Sequence, residues 1–368
     1  MQVELHQSLL DHPSEYQLLY LLALCAFGAE GRHRIFPEPD PNVRGKWDVW
    51  LETLPERIKR DVGEVWRASE DRASRGVRNQ KVRVMPNLTE YKTKTASLSP
   101  EEALSLLGRP LRVIVENARN DRRFILAFAD SSTRDVLGQA EKKGWLVFDS
   151  AGGIGELEKR IETVDTTPLD ALRSMYLCDS DAKKPQERTP TAQKILEWFA
   201  LLEGEYSRQP KFFGQVLERR AAENYAPPAR VFSWARDQYV DKGTGSRWVG
   251  MSKDATKHIS LIREIQKATK PEEKQFVAAL ALDGLQNNQI VRSHLDMKEG
   301  RGTPPRAGQQ PNYRTDDTIW GQLDDFQQAA LQNGFGKDFS ADFYSTCNNL
   351  NDETGEIKQF LQTMLERL

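Results

Sequence analysis

Three short apolar runs punctuate the middle of the chain: LRVIVE (111–116), WLVFDS (145–150) and LRSMYLCDSD (172–181). Each is four to ten residues long and bounded by turn signals, the pattern of strands buried on both faces of a parallel sheet. Between them the spacing becomes helical, in DRRFILAFA with TRDVLGQAEKKG and then in GELEKRIETV. Strand, helix, strand, helix, strand predicts right-handed βαβ units. A fourth unit follows, with the amphipathic TAQKILEWFALLEGEY leading to KFFGQVLERRAAENY. The first half of that last stretch fits a strand and also fits a helix.

The flanks read differently. Residues 1–108 are expected to form a helical N-terminal region. It holds a core helix in LLYLLALCAFGA (18–29), a Pro-rich turn in FPEPDPNVRG, and the long stretch KWDVWLETLPERIKRDVGEVWRASEDRASRG. Trp47, Trp50 and Trp66 fall there at a spacing that places them in a core. SPEEALSLLGRP reads as a short helix capped by Ser99 and stopped by Gly-Arg-Pro, so a boundary is expected near Gly108. Residues 109–226 form the expected α/β domain, and residues 227–368 a helical C-terminal region. That last region is broken at 298–314 by the polar, Pro- and Gly-rich KEGRGTPPRAGQQPNYR, which reads as a loop.

Composition bounds what this organisation can do. The chain has 368 residues, 38% hydrophobic and 29% charged, as in ordinary globular proteins. The run at 18–29 is too short to span a bilayer and lacks the flanks of a secretory signal, so no membrane association is expected. Cys25, Cys178 and Cys347 lie far apart with no Cys-x-x-Cys pair, which argues against a zinc ribbon or a disulfide framework and points to a cytoplasmic protein. Lys plus Arg number 52 against 54 Asp plus Glu, a net charge of −2. Any contact with nucleic acid therefore depends on local basic patches.

Open parallel sheets bind ligands outside the carboxyl ends of their strands. The first predicted strand delivers Glu116 there, and the third delivers Asp179 and Asp181, two apart and so on one side of an extended segment. Asp121 follows at the start of the next helix, and Glu223 comes after the fourth strand. Carboxylates within about 4 Å of each other repel by roughly 4 kcal/mol per pair at an effective dielectric near 20. Such a cluster calls for a cation or for protons. All-oxygen ligation suits Mg²⁺ or Mn²⁺, ions that commonly act on phosphate. Arg119, Arg122, Arg123, Lys183, Lys184 and Arg188 stand beside these acids in sequence and are candidates for holding phosphates. His6, His12, His33, His258 and His294 have no metal-spaced or serine-bearing partner motif and read as structural.

LRVIVENARNDRRFI, FDSAGGIGELEKRI and MYLCDSDAKK together resemble the Toprim domain, the metal-binding fold of topoisomerases, primases and OLD-family nucleases. The Toprim glutamate at the end of the first strand is matched by Glu116. The Asp-x-Asp at the end of the third is matched by Asp179 and Asp181, and the glycine turn after the second by Gly152 and Gly153. LERRAAENY (217–225) resembles a motif of the OLD-like branch, which implies that Arg220 and Glu223 approach the metal; Lys298 in DMKEG resembles its phosphate-contacting lysine. The resemblance covers 111–225, about a third of the chain. It departs from the pattern in having Asn117 where glycine is usual, and in a one-residue longer gap to Asp121, the remaining candidate ligand.

What the resemblance implies is a Mg²⁺- or Mn²⁺-dependent nuclease acting on DNA or RNA, with Glu116, Asp179, Asp181 and Glu223 at its centre. Lys183, Lys184, Arg220 and Lys298 would contact the substrate. A topoisomerase would need a nucleophilic tyrosine on another domain, and Tyr225 lies too close to the metal motif for that role. No Gly-x-x-x-x-Gly-Lys-Ser/Thr loop occurs, so the ATPase that full OLD proteins carry would be a separate partner, as in stand-alone phage-defence nucleases. A homo-oligomer stays open, as does the competing reading of a Toprim-fold binding subunit that does not cut.

Overall fold

In the computed structural model the described residues are 1–11, 15–74, 80–86, 95–164, 168–180, 188–205, 212–218, 222–225, 343–352 and 354–368. The chain opens with a parallel sheet. Strand β1 (Gln2–Leu5) leads through helix α1 (Glu15–Ala29) to β2 (Arg34–Pro37). Helices α2 (Pro41–Glu52) and α3 (Glu56–Ser74) then lead to β3 (Lys81–Val84) and β4 (Ala96–Leu98). The strand order is β2-β1-β3-β4, with every neighbouring pair parallel. This corrects the reading of 1–108 as helical. Its strands are three or four residues long, too short to display a period. Polar residues also stand where burial is complete: Gln2 and Glu4 are 8% and 6% exposed. They are accommodated because Gln2 Nε2 and Lys81 Nζ both donate to Glu4 Oε1 at 3.1 Å.

The helices of this region match their patterns. Trp47 and Trp66 are fully buried and, with the half-buried Trp50, form a cluster with ring centroids 5.5–6.0 Å apart. Helix α4 (Pro100–Gly108) begins at a capping box, in which Ser99 accepts from the Glu102 N–H while the Glu102 carboxylate accepts from the Ser99 N–H. No described helix is long and apolar enough to cross a membrane.

The second sheet is the one anticipated from the apolar runs. Its elements are β5 (Leu111–Val115), α5 (Ala118–Ala127), α6 (Ser131–Lys142), β6 (Leu146–Ser150), α7 (Ile154–Val164), α8 (Pro168–Arg173), β7 (Ser174–Cys178), α9 (Pro190–Glu205) and β8 (Phe213–Val216). The order is β6-β5-β7-β8, all parallel. The stretch at 213–216 is a strand, as one of its two readings had it. Alternate residues divide between two cores. Val113, Val115, Met175 and Leu177 pack with Phe124, Ile125 and Leu137 of α5 and α6, whereas Ile114, Tyr176 and Cys178 pack with Leu157, Ile161, Ile195 and Phe199 of α7 and α9. Helices thus cover both faces, which is a doubly wound α/β arrangement.

The sequence assigns 227–368 to a separate helical region; residues 227–342 lie outside the described residues, and 343–352 and 354–368 complete the first of these cores. Phe343 and Tyr344, with Ile357, Phe360 and Met364 of helix α10 (Glu356–Arg367), are buried among Val115, Phe124 and Leu177. The second core runs on without interruption to Val3, Leu24, Trp66 and Leu107. At the seam the Arg173 guanidinium donates to the carbonyls of Arg109 and Arg367, each at a helix C-terminus where the peptide dipoles favour a cation. Arg32 donates to the same Arg109 carbonyl, and Arg367 Nη1 to the Ser174 carbonyl at 2.7 Å. Burial lowers the pKa of Arg173, with Arg32 and Arg367 adding to the effect.

Candidate active site at the strand ends

The register lines up the carboxyl ends of the second sheet. Val115 stands opposite both Ser150 and Leu177, and Cys178 opposite Val216. The residues just beyond these positions therefore share one edge, with Glu116 after central strand β5 and Asp179 after its neighbour β7.

Each position is set locally. Asn117 leaves the strand in an extended conformation and caps α5, its side-chain oxygen accepting from the N–H groups of Arg119 and Asn120 at 3.1 and 3.3 Å. Asp121 Oδ2 accepts from the Asn117 N–H at 2.8 Å. Asn117 and Asp121 together close the turn from strand to helix. Behind Glu116, its carbonyl accepts from Ser150 Oγ at 2.9 Å and from the Gly152 N–H at 3.2 Å. Gly152 and Gly153 have φ of 92° and 119°, values that a side chain at these positions disfavours.

The carboxylate of Glu116 meets the backbone of Asp179. Glu116 Oε1 accepts from the Asp179 N–H at 3.0 Å. Asp179 Oδ1 in turn accepts from the Ala222 N–H at 3.2 Å, at the head of a 3-10 turn spanning Ala222–Tyr225. A continuous set of contacts thus runs from the glycine turn through Glu116 and Asp179 to the segment that carries Glu223. Both acids are half-buried, whereas Ser180 behind them is fully buried.

The rest of the predicted set is placed less completely. Asp181, Lys183, Lys184, Arg220 and Lys298 lie outside the described residues, as does the side chain of Glu223, whose backbone forms part of the turn. Among the described residues, no group of three or more His, Cys, Asp or Glu side chains is arranged to hold a metal; two of the five candidate ligands, Asp181 and Glu223, fall outside that statement. Of the basic candidates, Arg122 makes a bidentate pair with Glu141 at 2.7 Å and lies 5.9 Å from the Phe148 ring, so its role is to tie α5 to α6. Arg119 is exposed in the first turn of α5. Tyr225 is 5% exposed, packs against Phe124 and donates its hydroxyl to Glu356 Oε1.

Sequence reasoning missed Ser150, Tyr344 and Glu356. Tyr344 donates to the Ala222 carbonyl at 2.6 Å. Glu356 is 131 positions from Tyr225, and no local pattern marks such a pairing. For Asn117 a signal did exist: a short polar residue between a strand and a helix is a cap candidate. Compared with protein-family models, curated proteins and solved structures, the chain has no match.

Proposed function

We propose that the chain is a Mg²⁺- or Mn²⁺-dependent nuclease of Toprim type that hydrolyses phosphodiester bonds of DNA or RNA. One observation carries the reading: Glu116 and Asp179 stand in contact at the carboxyl ends of adjacent parallel strands, where α/β sheets place their ligands. The donor set fits the ion, since two half-buried carboxylates offer the hard oxygen ligands that Mg²⁺ and Mn²⁺ take. Glu116 and Asp179 would hold it, with Asp181 and Glu223 as the further ligands that the motifs imply. Bound there, the ion would supply Lewis-acid stabilisation of charge on phosphate oxygens and a water of lowered pKa.

The chain's own part is to fix these carboxylates. Asn117 and Asp121 set the turn after β5, and Ser150 and Gly152 hold the Glu116 carbonyl. Arg119, with Lys183, Lys184, Arg220 and Lys298, would offer positive charge to the backbone of the nucleic acid. A separate ATPase or sensor in an anti-phage defence system would restrain or trigger cutting, as the resemblance to stand-alone defence nucleases implies.

The test is incubation of the purified chain with supercoiled plasmid, single-stranded DNA and total tRNA. It is run with Mg²⁺, Mn²⁺ or EDTA, alone and with the product of the neighbouring gene. Cleavage that needs the metal and disappears in Asp179→Asn supports the reading. Binding without cleavage under every condition would leave the chain as a nucleic-acid-binding subunit.

A further inference from the structure

The Glu356 carboxylate is 7% exposed and engaged on both oxygens. Oε1 accepts from the Tyr225 hydroxyl and from Thr354 Oγ1 at 3.1 Å, and Oε2 accepts from Gln215 Nε2 at 3.0 Å and from the Glu218 N–H at 3.1 Å. One side chain at the first turn of α10 thereby grips strand β8, the second residue past its end and the far end of the Ala222–Tyr225 turn. Tyr344 holds the near end through the Ala222 carbonyl, and the Ala222 N–H reaches Asp179 Oδ1.

From this geometry we infer that Glu356 is a positioning residue for the site at the strand ends: through Tyr225 it sets where the turn bearing Glu223 stands relative to Asp179. The inference rests on the nuclease reading and adds to it that activity depends on docking of the C-terminal helix. A buried carboxylate with three donors of its own, and a share in the Thr354 hydroxyl that also reaches Asp352, has little slack, because moving it strands those three donors in turn. A strand end and a turn fastened to the same group cannot shift independently.

Glutamine should replace Glu356 with little loss. Its amide oxygen can face Gln215 and the Glu218 N–H, while the hydroxyls of Tyr225 and Thr354 rotate to accept from its NH₂. Alanine cannot serve in this way.

The experiment uses the full chain, with Mn²⁺-dependent cleavage of plasmid and tRNA as the probe. Glu356→Ala is expected to raise the Mn²⁺ concentration for half-maximal cleavage by about tenfold or more, the scale of losing an outer-shell support, and to lower kcat while KM for nucleic acid changes little. Tyr225→Phe is expected to shift Mn²⁺ dependence in the same direction and by less, whereas Glu356→Gln stays close to the wild type. Unchanged Mn²⁺ dependence in a folded Glu356→Ala overturns the inference. If that variant does not fold, an unchanged Tyr225→Phe does so instead. An active wild type, dead in Asp179→Ala and unaltered in Glu356→Ala, sinks the positioning role alone. A wild type that neither cleaves nor binds Mn²⁺ by calorimetry sinks the nuclease reading along with it.

Discussion

Two single-residue substitutions separate chemistry from folding at the strand ends. In Glu116→Gln an amide oxygen remains to accept the Asp179 N–H, and in Asp179→Asn one remains for the Ala222 N–H, so each contact survives without its charge. Each variant is expected to lose metal-dependent cleavage by about 100-fold or more while stability changes by less than about 1 kcal/mol. Thermal unfolding beside a cleavage assay checks both halves. A second residue-scale effect belongs to His33, which is 2% exposed and donates from Nε2 to the Leu107 carbonyl, leaving Nδ1 to accept from the Met1 amino group. Burial, reinforced by the Met1 amine, Arg173 and Arg32, holds its pKa well below 6.5. Below pH 6.5 the unfolded chain takes up a proton that the folded chain refuses, so this contribution to stability is intact above that pH and is lost as the pH falls. The slope reaches at most about 1.4 kcal/mol per pH unit. Denaturant melts from pH 7 to 5 should show the loss, and His33→Gln should flatten it.

Among the elements, the fit between β8 and α9 decides whether the fourth strand stays in the sheet. Gly214 lies against Phe199, and a Cβ at that position would sit 2.4–2.6 Å from three ring carbons. The ring cannot retreat, since Phe199 is 2% exposed and wedged against Tyr176 and Phe212 at centroid distances of 6.0 and 5.7 Å. Gly214→Ala is therefore expected to cost about 1–3 kcal/mol. Thermal unfolding measures this directly. Because β8 leads into the turn holding Asp179, the same variant should lose more activity than stability. An alanine tolerated without any change in Tm would mean that this packing is looser than described.

At the scale of the whole molecule, the last helix closes the core beneath the site. Ile357, Phe360 and Met364 are fully buried against the face of the sheet formed by Val113, Val115, Met175 and Leu177. Removing 343–368 would bare that face and strand the Glu218 N–H and the Tyr225 hydroxyl. The truncated chain is expected to lose soluble yield and cooperative unfolding, measured by circular dichroism during a thermal ramp. A truncation that remains soluble and folds cooperatively would show that α10 is dispensable to the core.

Local signals carried much of the second sheet. Apolar runs of strand length, separated by amphipathic stretches, determined β5, β6 and β7 with their crossing helices, and the Ser99 cap was legible because a capping box is written within four residues. The acids at the strand ends could be read for the same reason: a residue following a buried strand in a parallel sheet has few places to go. The first sheet was hidden because its strands are too short for periodicity and because Gln2 and Glu4 are buried by pairing that only the neighbouring strands supply. Tertiary structure alone decided that β5 and β7 are neighbours, which brings the backbone of Asp179 to the carboxylate of Glu116 across 63 positions. It also decided that Glu356 closes on Tyr225. Contacts of this kind depend on strand order and helix docking, and these are set by the burial of whole faces, a quantity that no short window of sequence contains.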